Sequence, residues 1–217
     1  MSFKKRMLAE LLGTAGLLIV VVGSGIMGES LSQGNMAIAL LANSIATGAG
    51  LYSLIQTFGY ISGAHFNPAV SFTELLWKRL NFKEFTGYSV AQIVGAILGV
   101  LITHTMFGLK ILQLSTHDRS DFRFLVSEVV ATFGLILVIA FSGKKNIEKT
   151  PFAVALYITS AYWCTSSTSF ANPAVTLARS FTNTFSGIQW TGVFGFIAAQ
   201  FIAATLAYWC SEQFSKP

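Results

Sequence analysis

The sequence predicts an all-α membrane protein with six transmembrane helices and two re-entrant half-helices, built as an inverted internal repeat. Three observations lead there. Apolar residues make up 53% of the 217-residue chain, charged residues only 11%, and the mean hydropathy is +0.62. A soluble domain carries about 25% charged residues. The tetrapeptide Asn-Pro-Ala-Val occurs twice, at Asn67–Val70 and Asn172–Val175, each time after a long apolar stretch. Finally, landmarks from the first half of the chain recur in the second half in the same order.

At about 20 residues per crossing, the apolar runs place spans at Leu8–Met27, Met36–Phe58, Tyr88–Phe107, Phe124–Phe141, Phe152–Ser169 and Trp190–Ser211. The fifth turns polar at its C-terminal end. Met1–Arg6 is basic, but the apolar run behind it has the length of a span and is followed by another, so no cleavable signal peptide is expected. The two Asn-Pro-Ala-Val segments, about Asn67–Trp77 and Asn172–Phe181, are too short to cross. Asn followed by Pro is an ordinary helix start. Starting a helix at bilayer depth is not ordinary, because its first backbone amides are unpaired and lipid cannot satisfy them. Such starts belong where they are buried in protein or line a wet cavity. One in each half predicts a pore.

The repeat can be read residue by residue. AELLGTAGLLIVVVGSG at Ala9–Gly25 aligns with SEVVATFGLILVIAFSG at Ser127–Gly143, and AQIVGAILG at Ala91–Gly99 aligns with AQFIAATLA at Ala199–Ala207. Together with the paired tetrapeptides, these landmarks divide a single channel domain (residues 1–217) into repeats 1–107 and 123–217, joined by a loop at 108–122. Each repeat has an odd number of spans, so the two must insert in opposite orientations. The half-helices then enter from opposite faces and meet near the midplane. Gly143–Thr150 reads as a cytoplasmic linker.

Net charge is +5, which in another context would suggest nucleic acid. Here the distribution explains it. Lys4, Lys5, Arg6, Lys78, Arg79, Lys83, Lys144, Lys145, Lys149 and Lys216 fall on one side of the six-span arrangement, against Lys110, Arg119, Arg123 and Arg179 on the other. This positive-inside asymmetry places both termini in the cytoplasm. No nucleic-acid partner is expected.

GYISGAHFNPAVSF at Gly59–Phe72, ANPAVTLARSF at Ala171–Phe181 and the AELLGT opening resemble the aquaporin (major intrinsic protein) family over essentially the whole chain. The resemblance implies a right-handed six-helix bundle, one pore per subunit and a homotetramer in a lipid bilayer, here a bacterial inner membrane. Under this reading Asn67, Pro68 and Ala69 meet Asn172, Pro173 and Ala174 in the pore. The two electropositive helix ends and the two asparagine amides repel cations and orient a passing solute as an acceptor. Carbonyls of Gly63, Ala64, His65, Thr168, Ser169 and Phe170 supply acceptors along an otherwise apolar wall.

Glu10 and Glu128 are the acidic residues deep in predicted spans, and they occupy the same repeat position. Ionisable groups there are expensive. Each is expected to accept hydrogen bonds from the backbone of the loop before a half-helix, aiming that loop's carbonyls inward; a proton relay is the alternative.

Selectivity departs from the family pattern. Where water and glycerol channels usually carry Arg directly after the second motif, this chain has Val175. Counting back without gaps makes Thr47, Ser160 and Ser169 the other constriction residues, giving a wide, uncharged filter. Arg179 lies four residues beyond Val175, on the same helix face. It is expected in the vestibule, bonded to carbonyls; reaching back would narrow the channel toward a water or glycerol pore. The repeated motif followed by ARSFTNTFSG resembles a bacterial branch associated with arsenic-resistance operons. That resemblance implies passage of arsenite or methylated arsenicals as well as glycerol and water.

A general water and glycerol pore is the alternative, and an ion-coupled transporter a third reading, since inverted repeats and broken helices occur there too. A closed-pore adhesive role stays open. The residues present no nucleophile–base set, metal cluster or cofactor motif, so an enzyme is not expected. Cys164 and Cys210 read as small packing residues, Cys164 with some approach to the pore. His65 reads as a packed ring in the first loop, and His104 and His117 as span-end and loop residues. Trp77, Trp190 and Trp209 fit interfacial anchors, and the Gly95/Gly99 pair a close helix contact.

Overall fold

The computed structural model describes residues 1–145 and 147–214, the side chains at 144, 145 and 147 excepted; the charge expectations at Lys144, Lys145 and Lys216 lie outside it. Regular structure among the described residues is helical throughout. Helices α1 (Phe3–Leu31), α2 (Met36–Ser62), α3 (Pro68–Leu76) and α4 (Phe82–Met106) are followed, after a long connection, by α5 (Phe122–Lys145), α6 (Thr150–Cys164), α7 (Pro173–Ala178) and α8 (Trp190–Gln213). The order long, long, short, long is thus written twice. Five of these helices are long and apolar enough to cross a membrane.

Local chemistry sets the element ends. Asn35 caps α2 by accepting from the backbone amides of Ala37 and Ile38. Asn81 and Glu84 form a reciprocal capping box at the start of α4. Gly63 ends α2 in the left-handed region at φ 89°, where a side chain would be strained.

The fifth span needs correction. It closes at Cys164 rather than Ser169. The hydroxyl-rich run from Thr165 to Ser169 leaves the helix because its side chains find other partners: Ser166 pairs with Ser127, and Ser167 with Glu128. At 15 residues α6 is about 22 Å long at 1.5 Å per residue. That falls short of the roughly 30 Å hydrocarbon core.

Packing follows the repeat. α1 lies against α4 and α2, α5 lies against α8 and α6, and α2 meets α6 between the halves. The short helices α3 and α7 both rest on α4 and α8 and touch each other. Gly95 and Gly99 let α4 approach the α1 backbone so closely that a Cβ would collide with the carbonyl oxygens of Leu11 and Ala15. In the second half the same positions are the fully buried Ala203 and Ala207. Small residues allow close backbone approach where lipid provides no hydrophobic drive between helices.

Candidate functional site

Two polar cradles hold the loops in front of the short helices. Glu10, fully buried, accepts at one carboxylate oxygen from Ser62 Oγ (2.6 Å) and the His65 amide (3.1 Å), and at the other from the Phe66 amide (2.7 Å) and Gln92 Nε2 (2.8 Å). Glu128 repeats the pattern with Ser167 Oγ (2.6 Å), the Phe170 amide (2.9 Å), the Ala171 amide (2.8 Å) and Gln200 Nε2 (2.6 Å). Gln92 and Gln200 bridge onward to Ser71 and Thr176, which tie the cradles to α3 and α7. Four donors compensate each buried carboxylate, as a charge out of water requires. The two glutamines are functional residues the sequence reading passed over. Their signal was present in the aligned AQIVGAILG and AQFIAATLA segments, which begin Ala91-Gln92 and Ala199-Gln200.

The cradles dictate where the loop carbonyls go. A trans peptide points its C=O opposite to its N–H. The amides of His65, Phe66, Phe170 and Ala171 face the carboxylates, so the carbonyls of Ala64, His65, Ser169 and Phe170 face away from them. This path forces Ala64, Phe66, Ser169 and Ala171 to φ values of 47–51°, equivalent positions in the two loops. Each costs a non-glycine residue about 1–2 kcal/mol. The hydrogen bonds to the glutamates offset that strain.

The half-helix tips meet. Asn67 caps α3 by accepting from the Ala69 amide at 2.9 Å, and its Nδ2 donates across to the Ala171 carbonyl at 2.7 Å. Asn172 caps α7 by accepting from Ala174 (3.0 Å) and Val175 (3.2 Å), and donates to the Phe66 carbonyl at 2.8 Å. Pro68 and Pro173 stand at the first helical positions, where a missing N–H costs nothing. Ala69 and Ala174 are fully buried behind the tips. Each amide NH2 has two donors. One holds the opposite loop, leaving one on each asparagine for a guest.

A single cavity of about 900 Å³ takes in both asparagines. Near the end that carries the N-terminus its wall includes Tyr60, Glu74, Arg79 and Glu148; toward the other end it includes Thr47, Tyr162, Val175 and Arg179. Glu74 and Arg79 form an ion pair at 3.1 Å. Gly63, Ala64, His65, Ser169 and Phe170 are on the wall, whereas Thr168, also at positive φ, is not among its residues.

The filter expected from ungapped counting requires two corrections. Ser160 is off the wall. It is exposed on the outer stripe of α6 with Leu156 and Trp163, and its hydroxyl donates to the Tyr157 carbonyl. Tyr162 takes the inward place instead, with its hydroxyl 3.2 Å from Thr47 Oγ1. Counting back erred because α6 stops early, and the position facing Thr47 lies two residues nearer the loop. The wall is not uncharged either. Arg179 is 2% exposed and lines the cavity, with Nε donating to the Ser186 carbonyl and Cζ 3.4 Å from the centre of the Phe170 ring. A second guanidinium, that of Arg119 in the long connection, lies 5.2 Å from the same ring and donates to the carbonyls of Gly187 and Ser167. Burial lowers the Arg119 pKa while the charge on Glu128 opposes the shift, and a guanidinium has ample margin to stay protonated.

A model of the major intrinsic protein family matches residues 1–211. The chain belongs to this family. It is accordingly an integral membrane channel and not an enzyme. The chain is 49% identical over 203 residues to aquaglyceroporin AqpS of Rhizobium meliloti (strain 1021), covering 94% of this chain and 87% of that one. It is 29% identical over 192 residues to aquaporin NIP2-2 of Zea mays, covering 85% of this chain and 64% of the relative. Its fold resembles the X-ray structure of the aquaglyceroporin from Plasmodium falciparum with a TM-score of 0.75, covering 95% and 96% of the two chains at 20% identity. Within this family Tyr162, Arg119 and the two bridging glutamines are the features that family-based counting did not supply.

Proposed function

We propose that this major intrinsic protein passes small neutral hydroxylated solutes down their gradients: glycerol and water, and with them arsenous acid or methylated arsenicals. One observation carries the reading. The two asparagine amides are held tip to tip by reciprocal bonds to Ala171 and Phe66 inside one cavity, each with a donor to spare. A guest there must be an acceptor, and it trades its water for donors at the centre and carbonyls along the loops. At the centre, between the two asparagine amides, a cation meets donors and is refused. Arsenous acid, neutral and trihydroxylated near pH 7, presents the same kind of surface as glycerol. The filter role of Thr47, Tyr162, Ser169 and Val175, the homotetramer, the bacterial inner membrane and the cytoplasmic termini belong to this proposal. Lys4, Lys5 and Arg6 at the start of α1, Lys78 and Arg79 just after α3, and Lys83 at the start of α4 support the last, the α1 and α4 ends being joined by the Arg6–Glu84 pair at 2.6 Å.

A stopped-flow panel on proteoliposomes tests it, with water, glycerol, arsenite and urea as solutes. Vesicles with the protein should equilibrate glycerol and arsenite faster than empty ones. Equal rates for every neutral solute would end the proposal. A pore that passes water and glycerol but not arsenite is the second reading, favoured by Tyr162 and Arg179 on the wall.

A further inference from the structure

Arg179 is the one arginine on the central wall toward the connection end, and its bonding is incomplete. Nε is held by the Ser186 carbonyl and the guanidinium plane rests on Phe170, so the group is fixed in place. Neither Nη atom has an acceptor among the described residues, and neither is sealed inside protein. The side chain is 98% buried, yet it keeps up to four N–H donors that only the cavity can reach. A buried guanidinium with unmet donors costs free energy unless something that enters the cavity meets them. The hydroxyl pair of Thr47 and Tyr162 stands on the same wall and can donate or accept.

From this we propose that Arg179 is a specificity-determining residue of the channel. Its Nη pair binds an acceptor oxygen of the passing solute, and its fixed charge repels cations. It supplies from one helical turn further along the cation that Val175 lacks. The proposal rests on the channel reading above and deepens it. Phe170 is the positioning residue, because its ring face holds the guanidinium flat; a cation over an aromatic face is attracted by the ring quadrupole.

The test compares wild type with Arg179→Met and Phe170→Leu in proteoliposomes. It reads water, glycerol and xylitol permeability by stopped flow, and proton and sodium leak under an imposed potential. Arg179→Met should raise the xylitol-to-glycerol permeability ratio by about tenfold, the scale of one charged hydrogen bond, and open a measurable cation leak. Phe170→Leu should shift both readouts the same way by less, while Arg179→Lys keeps cations out but does not restore the ratio. Wild-type ratio and leak in both Arg179→Met and Phe170→Leu would overturn the assignment. If Arg179→Met does not reach the membrane folded, Phe170→Leu decides alone by the same criterion. Wild-type vesicles that pass no glycerol overturn the channel reading and this inference together, whereas permeable wild type with unchanged variants overturns only the inference.

Discussion

Glu128 accepts four hydrogen bonds while fully buried, and two of its donors are backbone amides that no other acceptor serves. Replacing it with Gln keeps the volume but turns an NH2 toward groups that are themselves donors. Glu128→Gln should therefore lose about 3 kcal/mol of stability, read as a lower unfolding temperature in detergent, and solute flux should fall with the loop geometry. Glu10→Gln should behave alike, since its bonds are the same in kind and number. At the wall, Tyr162→Phe removes the hydroxyl beside Thr47, and Ser160→Ala removes one on the outer stripe. The first should alter the glycerol-to-water permeability ratio; the second should leave it unchanged. A ratio that moves with Ser160 and not with Tyr162 would restore the ungapped count. The glutamate pair was legible in the sequence because two carboxylates at one repeat position inside apolar spans have few other uses. Tyr162 was not, because a one-dimensional count assumes a loop length that only the helix end determines.

Among the elements, the α1–α4 contact depends on two absent side chains. A Cβ at Gly95 or Gly99 would strike the α1 backbone carbonyls of Leu11 and Ala15, and backbone cannot step aside as a flexible side chain can. Gly99→Leu should push α4 off α1 and distort the cradle, since Gln92 on α4 reaches Glu10 on α1. Little folded protein should reach the membrane, measured as monodisperse material by size-exclusion chromatography after solubilisation. The spacing of small residues announced this contact in the sequence. The length of α6 was less visible. Its apolar start is plain, but the serines and threonines after Cys164 leave the helix only because Glu128 and Ser127 are there to receive them.

For the whole molecule, the reciprocal tip-to-tip bonds make each half depend on the other. Asn67 holds the second loop and Asn172 the first, so neither repeat completes its own passage. The arrangement has fixed donors at its centre, and both membrane glutamates are committed to the loops rather than to a moving ion. Flux should accordingly be downhill and unchanged by an imposed sodium or proton gradient, measured as glycerol uptake with and without the gradient. Uptake against a glycerol gradient driven by either ion would place the chain among coupled transporters. His104, read from the sequence as a span-end residue, is fully buried and bonds Ile111 and Thr182, so it fastens the long connection to the segment beyond α7.

By itself the sequence determined the membrane class, the twofold repeat, the two half-helices and the paired glutamates. Each of these is written in local pattern: hydropathy over a span, a cap tetrapeptide, one residue type at one repeat position. Only the tertiary structure decided which side chains share the wall. Facing residues come from α2, α6, the second loop and α7, and their register depends on where helices end and on how far a long side chain reaches back. Arg179 shows the reason most directly. Its sequence position lies one turn beyond the constriction, but its guanidinium settles on Phe170 because the carbonyl of Ser186 and the aromatic face together hold a charge that burial would otherwise disfavour.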